Sequence, residues 1–394
     1  MQINARKAIS AMIYCCSTKE RASVTAQSVS IAAALDGVRR VQFETADILR
    51  RAQGRTLQAV GFGPDECPFQ VIASGPFWVL RDYGKDSATQ SVLIVAAPIK
   101  RPYIWDLAPS SSAIRYCLKE GLGVRLLEWL PASLTTGYNG LAEYAQAIGE
   151  CVAKISGERE GRKPFLLGHS LGGTLAAIFG AMAPESISGL VLLGAPLCFR
   201  PSTSRFRDAL VSMVPSDLDE TEPCPGSLLT LLSALASPDT FVWSRLTDAA
   251  LSAADQTVWE THARVERWAL DEVPLPGKFV HQLIEWLYRE DRFCRGELRI
   301  DKSIGPQSMS APTLAIVNTA DDIAPVEAVK PFIESLATRD ARIIEYPGEI
   351  GVGLQHLGPL IGKRAHATIW PAIVCWMDRR RQGGGQAPLS KFCG

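Results

Sequence analysis

Residues 164–177, PFLLGHSLGGTLAA, constrain the fold of this chain more than any other stretch. A short apolar run precedes Ser170, which lies between Gly168 and Gly172, and an uncharged, alanine-rich segment follows. This order predicts a strand, a tight turn and a helix, because small flanking residues let the strand and the helix approach closely. The turn would hold Ser170 at the carboxyl edge of a sheet, with the Leu171 amide placed to stabilise an oxyanion. We therefore predict that Ser170 is a nucleophile.

Apolar runs on both sides of this segment predict further strands, and helical patterns alternate with them. The run at residues 91–97, SVLIVAA, is continuous enough for a strand that is covered on both faces. This alternation predicts an α/β fold with a doubly wound, mostly parallel sheet. After Phe199 the strand pattern stops, and aromatic, helix-like clusters predict a helical lid inserted between two strands. The predicted divisions are an N-terminal helical extension (1–66), a first core part (67–199), the lid (200–298), a second core part (299–380) and a flexible tail (381–394).

A serine nucleophile in such a turn needs an acid and a base from later loops, in the chain order Ser, acid, His. Among the five histidines, His356 alone lies in a glycine-rich loop after the last predicted strand. Asp321 and Asp322 both follow the strand before it, and either could be the acid. Asp321 is preferred because it lies closer to the strand end, whereas Asp322 could begin a helix. The predicted triad is Ser170, Asp321 and His356.

A second backbone donor to the oxyanion is expected from the loop that follows the strand at residues 91–97. In that loop the amides of Ile99 and Lys100 are the candidates, and they would act together with the Leu171 amide. Either Ile99 or Lys100 would supply this second donor through its main-chain amide.

Composition excludes several other classes of function. Lys+Arg and Asp+Glu number 41 each, so no net positive field attracts nucleic acid. The ten cysteines are scattered, with no C-x-x-C pair and no histidine at ligand spacing, which predicts buried thiols and neither a metal nor a cofactor site. Uncharged stretches fall short of the roughly 20 residues that cross a bilayer. The N-terminus lacks a convincing cleavage site, and we expect a cytoplasmic protein without a membrane span.

The chain resembles the polyhydroxyalkanoate synthase family of the α/β-hydrolase fold. The resemblance begins in VLIVAAPIKRPYIWDLAPSSSAIRYCLKEGLGVRLLEWLP and continues in GELRIDKSIGPQSMSAPTLAIVNTADDIAP, QHLGPLIGKRA and IWPAIVCWMDRR. It runs from about Phe77 to Arg380. By position, Ser170, Asp321 and His356 fall on that family's nucleophile, catalytic aspartate and general base.

The chain departs from this family at the nucleophile, which is normally cysteine and here is Ser170 in the lipase-like box GHSLGG. The resemblance implies acyl transfer from a hydroxyacyl or acyl thioester bound to CoA or to a carrier protein. A serine forms an oxygen ester that water or an alcohol can accept, so the acceptor stays open among an alcohol, an amine and water. Two alternatives are an ester or thioester hydrolase, such as a depolymerase, and an inactive assembly or granule-binding subunit. A second copy of the chain is a further candidate partner.

Overall fold

The core of the protein is an eight-stranded sheet. The computed structural model describes residues 26–84, 90–133, 137–158, 162–216 and 218–381. Within the sheet the strands follow the order β1-β2-β4-β3-β5-β6-β7-β8. Their bounds are β1 Gln70–Gly75, β2 Trp78–Asp82, β3 Ser91–Val95, β4 Gly123–Trp129, β5 Phe165–His169, β6 Gly189–Leu193, β7 Thr313–Asn318 and β8 Ala341–Tyr346.

Strands β3 to β8 run parallel to one another, and β2 pairs antiparallel with both β1 and β4. Every residue of β3 to β7 is buried, whereas the outermost strands, β1 and β8, are partly exposed. Continuous apolar runs suit this arrangement because helices cover both faces of the inner strands. The predicted doubly wound, mostly parallel sheet is confirmed.

Twelve α-helices accompany the sheet in the described residues. Their bounds are α1 Ala26–Leu57, α2 Ala113–Lys119, α3 Leu141–Glu158, α4 Leu171–Met182, α5 Arg205–Met213, α6 Gly226–Ala236, α7 Ser244–Ser252, α8 Gln256–Ala269, α9 Gly277–Gln282, α10 Lys330–Glu334, α11 Gly358–Ile361 and α12 Lys363–Arg381. Helices α3 and α4 bury apolar residues in the cluster on one face of the sheet. Helices α2 and α12 contribute to the cluster on the other face. None of the described helices has the length and apolar character needed to span a membrane.

Helices α5 to α9 all fall between β6 and β7, where the sequence predicts a lid. Helix α1 packs against this insertion: Arg50 forms an ion pair with Glu272 at 2.5 Å, and the Asp47 carboxylate accepts from the Ser227 amide at 2.9 Å. The predicted domain boundaries and the lid's function stay predictions. Residues 1–25 of the predicted extension and 382–394 of the predicted tail lie outside the described residues.

A disulfide bond joins Cys198, which follows β6, to Cys294, which follows the last helical turn of the insertion. The two cysteines are 96 residues apart in the chain, so the bond closes the insertion into a loop. The expectation of buried thiols is therefore wrong for this pair, since the fold brings the two ends of the insertion together. It holds for Cys117 and Cys151, which are buried free thiols.

Candidate active site

Ser170 lies in a sharp turn between β5 and α4. Its φ of 54° is positive, which costs a non-glycine residue about 1–3 kcal/mol unless the surrounding structure imposes it. Crowded glycines impose it here: a Cβ on Gly172 would lie 2.3 Å from the Val95 carbonyl oxygen, and one on Gly168 would lie 2.5 Å from the Gly173 Cα. The side chain of Ser170 is half-buried, so the turn presents a hydroxyl that solvent or substrate can reach.

Asp321 and His356 form a buried pair in the loops that follow β7 and β8. The His356 Nδ1 and an Asp321 carboxylate oxygen are 2.6 Å apart, and the other oxygen accepts from the Ile323 and Ala324 amides at 2.8 and 3.2 Å. Burial acts to raise the pKa of Asp321, but His356 and these hydrogen bonds hold that pKa below its usual value. The carboxylate therefore stays ionised and fixes the proton of the imidazole on Nδ1.

The other nitrogen of His356, Nε2, is buried and has no hydrogen-bond partner in the described part of the chain. It belongs to a side chain that is only 7% exposed, so water does not easily substitute for a partner. Buried polar atoms are rarely left unsatisfied, and a catalytic role is one reason for such an atom. With Nδ1 carrying the proton, Nε2 has a lone pair that can accept one.

The elbow and the His356–Asp321 pair meet at one edge of the sheet. The Ser170 amide donates to the Leu193 carbonyl at the end of β6, at 3.0 Å. At the next residue, Gly194, a Cβ would lie 3.4 Å from the Asp321 carboxylate and 3.6 Å from the His356 ring. The fold therefore brings Ser170, Asp321 and His356 into one neighbourhood.

Asp322 has different partners from Asp321. One of its carboxylate oxygens accepts from the Thr240 hydroxyl at 3.1 Å, and its carbonyl accepts from Ser204 at 3.0 Å. Both partners belong to the insertion or its approach, so Asp322 contacts the insertion while Asp321 contacts the imidazole.

His169, the residue before the serine, is a contact that the sequence reasoning missed. Its Nε2 donates to the His356 carbonyl at 2.8 Å, and the two rings are 4.7 Å apart between centroids. Burial, followed by the proximity of His356, lowers the pKa of His169 to about 3, so the ring is neutral. Its position beside Ser170 is a signal in the sequence, but the direction of the ring depends on the fold.

The predicted oxyanion donors occupy two segments. Leu171 is the first residue of α4, and amides in the first turn of a helix have no intrahelical acceptor. Ile99 and Lys100 follow β3, where the Ile99 carbonyl accepts from the Val273 amide at 3.0 Å and the Lys100 ammonium pairs with Glu272 at 2.8 Å. The amides of Leu171, Ile99 and Lys100 stay predicted donors.

Metal ligands are not grouped in the residues that the structure describes, which hold no cluster of three or more His, Cys, Asp or Glu side chains suited to an ion. The groups that the site residues bring to this edge of the sheet are a hydroxyl, an imidazole, a carboxylate and main-chain amides. These groups together suit covalent acyl transfer.

Comparison with known proteins places these observations in a family. A family model described as the alpha/beta hydrolase fold matches residues 129–349. The chain is 29% identical over 368 residues to the poly(3-hydroxyalkanoate) polymerase subunit PhaC of Haloferax mediterranei, covering 89% of this chain and 72% of that protein. It is 27% identical to the same subunit of Haloarcula marismortui, with 76% and 62% covered.

A solved structure supports the fold alone. A putative lipase from Sulfolobus solfataricus aligns with a TM-score of 0.52 at 14% identity, covering 80% of this chain and 99% of that one. The family model spans more than half of the sequence, and the mostly parallel eight-stranded sheet agrees with that fold. The protein therefore belongs to the α/β-hydrolase fold family, and its curated relatives are poly(3-hydroxyalkanoate) polymerase subunits.

Proposed function

We propose that the protein is a serine acyltransferase that acts on acyl or hydroxyacyl thioesters through a Ser170 acyl-enzyme. The observation that carries this proposal is the buried Asp321–His356 pair, whose Nε2 has no hydrogen-bond partner among the described residues and whose imidazole lies against the ring of His169, the residue before Ser170. The relatives are named as poly(3-hydroxyalkanoate) polymerase subunits, and this supports a hydroxyacyl group as the acyl part. An acyl-CoA or an acyl carrier protein is the proposed donor of the acyl group.

In the first half-reaction, His356 Nε2 accepts the proton of the Ser170 hydroxyl as the oxygen attacks the thioester carbonyl carbon. The negative charge that develops on the carbonyl oxygen is stabilised by the Leu171 amide and by a donor from the loop after β3. When the tetrahedral intermediate collapses, the carbon–sulfur bond breaks and His356 returns the proton to the departing thiolate. Ser170 then carries the acyl group as an oxygen ester.

In the second half-reaction, His356 accepts a proton from the acceptor, whose oxygen or nitrogen attacks the Ser170 ester. The new ester or amide leaves, and the proton returns to the serine oxygen. Thr240, in the insertion between β6 and β7, donates to Asp322, the residue next to the proposed acid, and this contact supports a lid over the site. A lid that excludes water favours transfer to a bound acceptor over hydrolysis.

A second candidate function is ester or thioester hydrolysis, as in a depolymerase. Ser170 in place of cysteine favours it, because an oxygen ester is stable toward thiols and is readily transferred to water. The same half-reactions apply, with water as the acceptor. An inactive assembly subunit is disfavoured because the acid, the base and the serine elbow are all intact.

The test is intact-mass measurement of the protein after brief incubation with acyl-CoA and 3-hydroxyacyl-CoA substrates of increasing chain length. We expect a mass increase equal to one acyl group, together with release of free CoA. The Ser170→Ala variant, which lacks only the hydroxyl, is the matched control and should show neither change. Labelling with a fluorophosphonate provides an independent measure of the activated serine.

The acceptor is then identified by adding alcohols and amines and separating the products. New ester or amide supports the transferase, whereas free acid alone at every acceptor concentration supports the hydrolase. If neither thioesters nor fluorophosphonate modify Ser170, the enzyme proposal is wrong.

A further inference from the structure

A carboxylate on the insertion, Asp248 of α7, contacts the loop that carries His356. It is 7% exposed and accepts three hydrogen bonds: from the Gly351 amide at 2.7 Å, from the Gly353 amide at 2.9 Å and from the His262 Nδ1 at 2.8 Å. The Gly351 bond reaches one carboxylate oxygen, and the Gly353 and His262 bonds reach the other. A single side chain of the insertion therefore holds two backbone positions in this loop.

We propose that Asp248 is a positioning residue, which couples the seating of the lid to the placement of His356. The proposal rests on the proposed function, since it assigns His356 the role of general base. According to this proposal, the loop at residues 347–355 keeps His356 in its catalytic position as long as α7 and α8 are packed against the loop. When the lid moves away, the loop loses these contacts and the imidazole loses its orientation.

The loop needs such support because of its own conformation. Gly348, Gly351 and Gly353 have φ values of 80°, 89° and 68°, in the region that other residues rarely adopt. Glycines lose more conformational freedom on ordering than other residues do, so a loop with three of them is costly to hold in one shape. Gln355 bridges to Glu349 through two hydrogen bonds, at 3.2 and 2.8 Å, and these support only the base of the loop.

Packing adds to the contact that Asp248 makes. A Cβ on Gly351 would lie 2.3 Å from a methyl of Val258, and one on Gly353 would lie 2.8 Å from a methyl of Val265. Both valines belong to α8, which therefore rests directly on the backbone of the loop. Only glycine allows this approach, and the same approach puts the two amides within reach of Asp248.

The insertion also contacts the loop of the acid. Thr240 donates to the carboxylate of Asp322, the neighbour of Asp321. The two loops that supply Asp321 and His356 are thus both attached to the same group of helices. Because of this double attachment, closure of the lid would place Asp321 and His356 relative to each other in addition to shielding them from water.

The Asp248→Asn variant tests the proposal with little change in volume. An asparagine has one side-chain acceptor oxygen, so its NH₂ group must replace one of the two carboxylate oxygens. That NH₂ group then faces the Gly351 amide in one orientation, and both the Gly353 amide and the His262 proton in the other. One attachment of the loop is lost in either orientation. A displacement of about 1 Å at a catalytic group can cost about a hundredfold in rate, and we expect a loss of about that size in fluorophosphonate labelling.

The matched control is Asp255→Asn, on the same group of helices. Asp255 caps α8 by accepting from the Thr257 and Val258 amides, and asparagine caps helices as well as aspartate does. We expect this variant to label at the wild-type rate. Thermal unfolding is measured for both variants, and fluorophosphonate labelling is compared well below the lower of the two unfolding midpoints. At that temperature both variants are folded, so a residue that only supports stability would leave the labelling rate unchanged.

Hydrogen exchange supplies a readout that does not require activity. In the wild-type protein, the Gly351 and Gly353 amides should exchange no faster than the amides of α7, because the same opening of the lid exposes the loop and the helix. In Asp248→Asn the loop should exchange about tenfold faster or more, while β5 and β6 stay unchanged. If Asp248→Asn labels at the wild-type rate, or if the wild-type loop exchanges much faster than α7, the coupling is refuted.

The two proposals fail in different ways. Absence of any Ser170 labelling in the wild-type protein would refute the proposed function, and the exchange measurement would still decide whether the lid holds the loop. Normal labelling with an unprotected loop would refute the coupling alone.

Discussion

Replacing Asp321 by asparagine should abolish most activity, because the site accepts only a group with two acceptor oxygens. One oxygen of Asp321 accepts from the Ile323 and Ala324 amides, and the other accepts from His356 Nδ1. An asparagine that keeps its oxygen on the amides turns its NH₂ toward Nδ1. The imidazole must then carry its proton on Nε2, where it cannot accept the proton of Ser170.

The opposite orientation of the asparagine is no better, since its NH₂ would face two amide N–H groups. The equivalent substitution in a serine protease triad lowers turnover about 10⁴-fold, which corresponds to about 5.4 kcal/mol of transition-state stabilisation at 1.36 kcal/mol per factor of ten. We expect a loss of the same order in the rate of Ser170 acylation. Folding should be nearly unaffected because the volume is conserved.

The matched control is Asp322→Asn. Asp322 accepts from the Thr240 hydroxyl, and an asparagine oxygen can accept the same bond, so we expect less than a threefold change in rate. The assay is the initial rate of fluorophosphonate labelling and of single-turnover acylation by an acyl-CoA, with circular dichroism as the check on folding. If Asp322→Asn is the more damaging substitution, the assignment of the acid is wrong.

The remaining predictions concern the nucleophile, a buried histidine and the disulfide. Ser170→Cys should retain acylation by thioesters and lose activity on alkyl esters, because thiolate is the better leaving group there; hydrolysis of alkyl esters at the wild-type rate would contradict this. The pKa of His169 is lowered to about 3, so falling pH protonates the unfolded chain first and stability declines below about pH 6.5. His169→Gln keeps a donor to His356 but does not titrate. Urea unfolding at pH 7 and pH 4 should therefore show that its free energy of unfolding falls by up to roughly 3 kcal/mol less than that of the wild-type protein. An equal fall in both proteins would exclude His169 as its cause. The Cys198–Cys294 bond spans 96 residues, and loop-closure entropy predicts that such a bond stabilises the folded protein by about 4.7 kcal/mol. A reductant or a double alanine variant should therefore lower the melting temperature. Equal melting temperatures with and without reductant would show that the bond adds no stability.

The sequence alone determined the framework of the site. The tight turn at Ser170 follows from local sterics, because Gly168 and Gly172 lack side chains. The strands and helices follow from the period at which apolar residues recur. A linear sequence contains both kinds of information. The order of Ser170, Asp321 and His356 along the chain follows from the way parallel strands deliver successive loops to one edge. For these features neighbouring residues carry enough information.

Only the tertiary structure decided which side chains meet. Asp321 and Asp322 are adjacent and chemically equal in the sequence, and the fold directs one to His356 and the other to Thr240. The contact of His169 is likewise decided by the fold, because the direction of its ring depends on the loop that carries His356.

The contacts of the insertion were equally out of reach of sequence reasoning. Asp248 approaches Gly351 across 103 positions of the chain, and Cys198 approaches Cys294 across 96. Neither pair has a local pattern, because such contacts exist only after the helices have packed against the sheet. Periodicity reports which face of an element is buried, whereas the partner that covers that face is chosen by packing of the whole chain.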